Sequence, residues 1–331
     1  MTARTVGVTP SCRHPVAHPF LARLAAVLVL LIIATNVLSA YLRLDEAGLS
    51  CTPWPDCYAQ LAASNREMES ALPAALAPHE QLKQAHRLLA GALVLVVLVV
   101  LHQRARLGLL GSEATLPFAL AAVMLGLAVV GPASYLKTMP AIATTNLLGG
   151  LLLLALAWRL LLVSRRPRQV AVADGVRLFV LVSLVVVAAQ SALGAWTSAN
   201  FAGIACNGVF ACEELAAPVS GLAAFNYFRE LELDATGRVL MGPEAWLIQY
   251  VHRLGACLTA AVLALLAAGL WRQGLRSHAV MVGALLALQI GVGLAAVAAG
   301  MPLFLVLLHN LLAAGLVVVL VDINYRAIGH D

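Results

Sequence analysis

Eight stretches of about 20 consecutive, mostly apolar residues run through this 331-residue chain, and a polypeptide so patterned has few ways to fold. They lie at about 20–42, 81–103, 114–132, 138–163, 174–197, 245–270, 277–298 and 302–324. As α-helix, about 20 residues rising 1.5 Å each cross the roughly 30 Å of hydrocarbon in a bilayer. The stretches are continuous rather than alternating, which argues against barrel strands. In lipid the backbone must satisfy its own hydrogen bonds, so each stretch is expected to be helical. The predicted fold is an all-α membrane protein with eight transmembrane helices. Composition agrees: 62% of residues are hydrophobic and 11% charged, where a soluble domain has about half and a quarter. The first stretch reads as a span rather than a signal peptide, because no small-x-small site closes it before Arg43.

Charge sets the expected orientation. The N-terminal tail, the turns near 104–113, 159–177 and 271–278 and the C-terminus together hold 13 arginines and four acids. The opposite side holds 12 of the 16 acids. The positive-inside rule then places both termini in the cytoplasm of a multi-pass protein of the cell inner (plasma) membrane. The pI near 9.1 reflects this asymmetry. With no soluble basic domain, the expected partner of these charges is membrane lipid and not nucleic acid.

Two loops are long, about 43–80 and 198–244, and both fall on the acid-rich side. Each carries one Cys-x5-Cys, Cys51/Cys57 and Cys206/Cys212. After each comes a helix that opens with His-Arg, "QAHRLLAG" (84–91) and "QYVHRLGA" (249–256). Two helices later each half has a polar site in an apolar run, "TTNLLGG" (144–150) and "LLHNLLAA" (307–314). The offsets are 155 residues for the first cysteines, 166 for the histidines and 163–164 for the last pair, which marks an internal repeat. The chain therefore divides into an N-terminal four-helix half (1–163), a cytoplasmic linker (164–174) and a C-terminal four-helix half (175–331). An even number of spans per half makes the two pseudo-symmetric bundles parallel, related by an axis along the membrane normal.

His252 and His309 each lie about seven residues inside their helices, roughly 10 Å below the acid-rich surface. A lone membrane histidine most often bonds a neighbouring helix. Two at matched depth on separate helices have the geometry to clamp an iron between imidazoles, with a porphyrin between the helices. Arg253 then suits a porphyrin propionate. In the other half His86 is followed by Arg87, but the fourth helix offers Thr145 and Asn146, and Asn is a poor iron ligand. Lys83 lies one turn before His86 on the same face, where a snorkelling role competes with a role in the site. On an oxidising side, Cys51–Cys57 and Cys206–Cys212 are expected as local bridges. Spacing does not separate stapling from a redox role. Cys12 and Cys257 have no assigned role.

These residues resemble one family. "AYLRLDEAGLSCTPWPDCYAQL" is similar to the first outer loop of heme A synthases and "GAWTSANFAGIAC" to the second. "VHRLGA", "LLHN" and "NLLGGLLLLALAW" resemble their sixth, eighth and fourth helices, so the likeness spans nearly all of 20–325. The resemblance implies a heme b held by His252 and His309. It implies a substrate half that takes heme O and oxidises its C8 methyl to the formyl of heme A, for cytochrome oxidase. A heme O synthase and the oxidase assembly route are then the implied partners, and His86 a catalytic-site ligand. The chain departs from the family at Lys83, where a Glu is usual, and at Asn146, where a His is usual. Gln249 takes a place that is Glu in some members, "CNGVFAC" lacks a Pro beside its second Cys, and 213–244 is unusually long. The competing function is a heme b-binding relative without synthase activity, serving electron transfer or heme handling. A transporter is disfavoured, since the polar residues cluster at one end rather than at the midplane.

Overall fold

The computed structural model describes residues 18–46, 78–108, 112–135, 138–206, 221–235 and 237–328. Among them, eight helices are long and apolar enough to cross a membrane. They are α1 (Pro19–Glu46), α2 (Pro78–Leu107), α3 (Ser112–Val130), α4 (Pro140–Arg165), α5 (Asp174–Ala199), α6 (Pro243–Arg272), α7 (Arg276–Ala298) and α8 (Leu303–Arg326). Several run past the apolar stretches that mark them; α6 has 30 residues. Hydropathy marks the hydrocarbon layer, whereas backbone bonding continues through the interface.

Proline sets where several of these helices begin. Pro19, Pro78, Pro140 and Pro243 are first residues and Pro302 is the N-cap of α8. A first-turn proline loses no hydrogen bond and brings a helical φ with it. The short turns close with a left-handed glycine. Gly274 (φ 77°) follows α6, with Gln273 N–H bonded to Gly269 O and Leu275 N–H to Leu270 O. Gly300 (φ 71°) does the same after α7.

Helices α1 to α4 pack in chain order around a ring, with α4 returning to α1, and α5 to α8 do the same, with α8 returning to α5. Between the rings α4 touches α5 and α8, and α8 touches α1. Basic residues cluster at one end of the bundle: Arg104, Arg106, Arg165, Arg272 and Arg326 all lie in last turns. There the linker strand β1 (Val170–Ala171) pairs in parallel with β2 (Ala327–Ile328). Asp322 accepts from Arg326 Nε at 2.6 Å.

The two main cores lie towards this basic end. Leu28 and Ile32 of α1, Val97 and Val100 of α2 and Leu154 and Leu160 of α4 fill the first ring. Val180 and Val187 of α5, Leu263, Leu266 and Leu270 of α6 and Leu320 of α8 fill the second. Towards the opposite, loop end, large buried aliphatic side chains thin out: on α8 before Leu316 it is Val306 that is buried, and on α2 before Leu93 no residue from 81 on is. The level above the main cores is where His86, His252 and His309 lie.

Candidate functional site

His252 is the tenth residue of α6 and His309 the seventh of α8, both near the loop end. These helices stand diagonally across the second ring, with α5 and α7 between them. Each imidazole is held by the helix before its own. Gln190 of α5 brings Nε2 to 3.1 Å from His252 Nδ1 and donates to the His252 backbone oxygen at 2.9 Å. Gln289 of α7 brings Nε2 to 3.1 Å from His309 Nε2. One turn beyond each glutamine comes a glycine against the ring. A Cβ on Gly194 would stand 3.1 Å from His252 Cε1, and one on Gly293 would stand 3.0 Å from His309 Cε1.

Several buried polar atoms here have no hydrogen-bond partner: Gln190 Oε1, Gln289 Oε1, His309 Nδ1 and Asn310 Nδ2. Leaving such atoms bare in an apolar interior costs about 1–3 kcal/mol each, so the arrangement suits a resident group that brings polar or coordinating atoms. Two imidazoles on diagonal helices, above the main core and beside the half-buried Arg253, are a donor set that fits an axially ligated heme. Among the described residues no three His, Cys, Asp or Glu side chains form a cage for a bare metal ion. Gln249 is not free for the site: it is buried and donates to Gly203 O at 3.2 Å.

The first ring differs. His86 and Lys83 are half-buried on α2, Arg87 is exposed, and Asn146 is half-buried on α4, the diagonal partner helix. Thr145, beside Asn146, donates to Ala141 O at 2.7 Å and pairs with the hydroxyl of Tyr227. Tyr227 comes from the long loop between α5 and α6, which thus reaches into the other half. Leu231 N–H bonds Thr138 O at 2.8 Å, and Tyr227 stacks on Trp196 with ring centroids 6.2 Å apart. Burial lowers the pKa of Arg229 in this loop, with Glu244 and Glu232 opposing the shift. At this level the first ring has His86 on α2 with Asn146 on the diagonal helix, where the second has His252 and His309.

Cys206, at the end of the 3-10 turn that follows α5, is buried and disulfide-bonded. Cys51, Cys57 and Cys212 lie outside the described residues, so both expected pairings do as well. Cys257 is a free thiol exposed on α6.

Sequence reasoning missed Gln190, Gln289 and their glycines. The signal was present: "QSALG" (190–194) and "QIGVG" (289–293) share a Gln-x3-Gly spacing that stacks both residues on one helix face. Tyr227 had no such signal, because its partner is set by the path of a loop.

A profile of the COX15-CtaA family, described as cytochrome oxidase assembly proteins, matches residues 21–321. The chain is 32% identical over 320 residues to a heme A synthase of Shewanella oneidensis. That alignment covers 92% of this chain and 95% of the relative.

Proposed function

The chain belongs to the COX15-CtaA family of cytochrome oxidase assembly proteins, and from that membership we propose that it is a heme A synthase. It is then a membrane oxidoreductase that converts the C8 methyl of heme O to the formyl of heme A. The observation that carries this reading is the relationship to a heme A synthase along nearly the whole of both chains.

Within that reading the C-terminal half, 175–331, would hold a heme b through the imidazoles of His252 and His309, with Arg253 suited to a propionate. Bound there, heme b supplies one-electron redox chemistry that no side chain provides. Gln190 and Gln289 hold the imidazoles, and the main core excludes water from the basic end of the site. The N-terminal half, 1–163, takes heme O, with His86 as its imidazole, and Arg87 extends beside it. Lys83 and Asn146 are the two positions where this half differs from the family. The segment 164–174 links the halves on the cytoplasmic side of the plasma membrane, and both termini lie on that side. The disulfides Cys51–Cys57 and Cys206–Cys212 close the outer loops. A heme O synthase supplies the substrate.

Co-expression with a heme O synthase, followed by pigment extraction and chromatography, tests the proposal. Heme A or its hydroxylated precursor is the expected product. Bound heme b with heme O left unconverted would instead support a heme-handling relative, a reading that the departures at Lys83 and Asn146 specifically favour.

A further inference from the structure

Polar carboxamides are costly inside a membrane helix unless they are used, and α5 and α7 each carry one facing a histidine on the next helix. We infer that Gln190 with Gly194, and Gln289 with Gly293, are paired cradles that fix the rotation of the His252 and His309 imidazoles and thereby set the properties of the iron they ligate. This rests on the heme reading above and goes beyond it by adding positioning residues to both ligands.

Two kinds of contact define each cradle. The carboxamide holds the ring by a nitrogen: Gln190 Nε2 lies 3.1 Å from His252 Nδ1, and Gln289 Nε2 lies 3.1 Å from His309 Nε2. The glycine then sets how near the helix the ring can lie. Any Cβ would approach Cε1 to 3.1 Å at Gly194 and 3.0 Å at Gly293, so the neighbouring ring would have to give. Glutamine and glycine are four residues apart and share a helix face. The same spacing serves both histidines, on the two helices that separate them in the ring.

The simpler reading is that each glutamine merely satisfies a buried histidine. One such bond leaves the far atoms of each pair over, and Gln190 Oε1, Gln289 Oε1 and His309 Nδ1 are all buried without a partner, free to meet a bound group or a turned carboxamide. A metal-bound imidazole keeps one ring nitrogen as an N–H donor, which almost always finds an oxygen acceptor in the protein. A carboxamide that turns over presents that oxygen, at Gln190 in exchange for its bond to the His252 backbone oxygen. At His252 the nitrogen facing Gln190 is Nδ1, which leaves Nε2 for iron. At His309 Gln289 holds Nε2 instead, which leaves Nδ1, the ring nitrogen buried without a partner, for iron.

The full-length protein purified with its heme tests this, with Gln190→Leu, Gln289→Leu and Gln190→Glu beside wild type. The readouts are the g-values of the ferric low-spin signal, which follow the angle between the two imidazole planes, and the midpoint potential. Both Leu variants should shift the g-values. Gln190→Leu should raise the potential by removing the acceptor that makes the imidazole a stronger donor to iron, and Gln190→Glu should lower it. A merely structural glutamine would change yield and melting temperature but neither of these. Wild-type g-values and potential in every variant would overturn the inference while leaving the heme reading intact. A wild-type protein with no low-spin heme would overturn the heme reading, and the inference with it. If the Leu variants do not accumulate, Gln190→Asn and Gln289→Asn decide by the same criterion.

Discussion

Arg43 Nη2 donates to Ser198 Oγ over 3.0 Å, and the two residues are 155 positions apart, the same offset that separates Cys51 from Cys206. Two side chains separated by that same offset thus meet where α1 and α5 reach the loop end. The two halves are joined there by a charged hydrogen bond as well as by helix packing. Such a bond in a half-buried place contributes about 1.5–3 kcal/mol. Ser198→Ala should therefore lower stability by about that amount. Arg43→Ala should cost more, because Arg43 makes other interactions too. Thermal unfolding in detergent, run as a double-mutant cycle, should return a favourable coupling between the two; none would show the contact to be incidental.

His252→Ala and His309→Ala should each abolish most of the low-spin b-type spectrum, since on the proposed reading each removes one of the two imidazoles that hold the heme. His86→Ala should leave that spectrum in place. Absorption spectra of the three purified variants check this. Full spectra from both of the first two variants would mean that the second ring does not ligate the heme.

Asn146→His should raise heme content towards two per chain and add low-spin character, because an imidazole binds iron better than a neutral amide. Lys83→Glu should raise heme A formation if a carboxylate is needed beside His86. Pigment analysis of the single and double variants measures both. A fall in heme A with Lys83→Glu would place Lys83 in the mechanism.

Tyr227→Phe should loosen the loop that crosses between the halves. The hydroxyl pairs with Thr145 and donates to Ala141 O at 3.3 Å, and its loss costs about 1 kcal/mol. Limited proteolysis should then cut 221–242 faster than in wild type, while the spectrum of the second ring stays unchanged. Equal cleavage rates would show that the bond at Thr138 is enough to hold the loop.

Peptide mapping without reduction should find Cys206 joined to Cys212 and Cys51 to Cys57. A Cys51–Cys206 link would tie the two outer loops together instead. Cys257 should react with a membrane-permeant thiol reagent, as an exposed free thiol.

Much of this molecule could be read from its sequence by counting. Eight apolar stretches required eight helices, because lipid offers a backbone no other partner. His252 and His309 could be placed near the loop end because residues climb a helix at a constant 1.5 Å. Rotation about the helix axis is a different matter. It depends on which neighbours each helix meets, and those are chosen by the packing of all eight at once. Gln190 and Gln289 each stand one turn before a glycine in the sequence, but that each faces a histidine is set by the packing of α5 against α6 and of α7 against α8. The bonding of Thr145 to a tyrosine 82 residues away is likewise invisible to any local pattern. Composition and periodicity determined the class, the number of spans and the depth of the site; tertiary packing decided what faces each histidine, because depth is local to one helix and direction is shared among all of them.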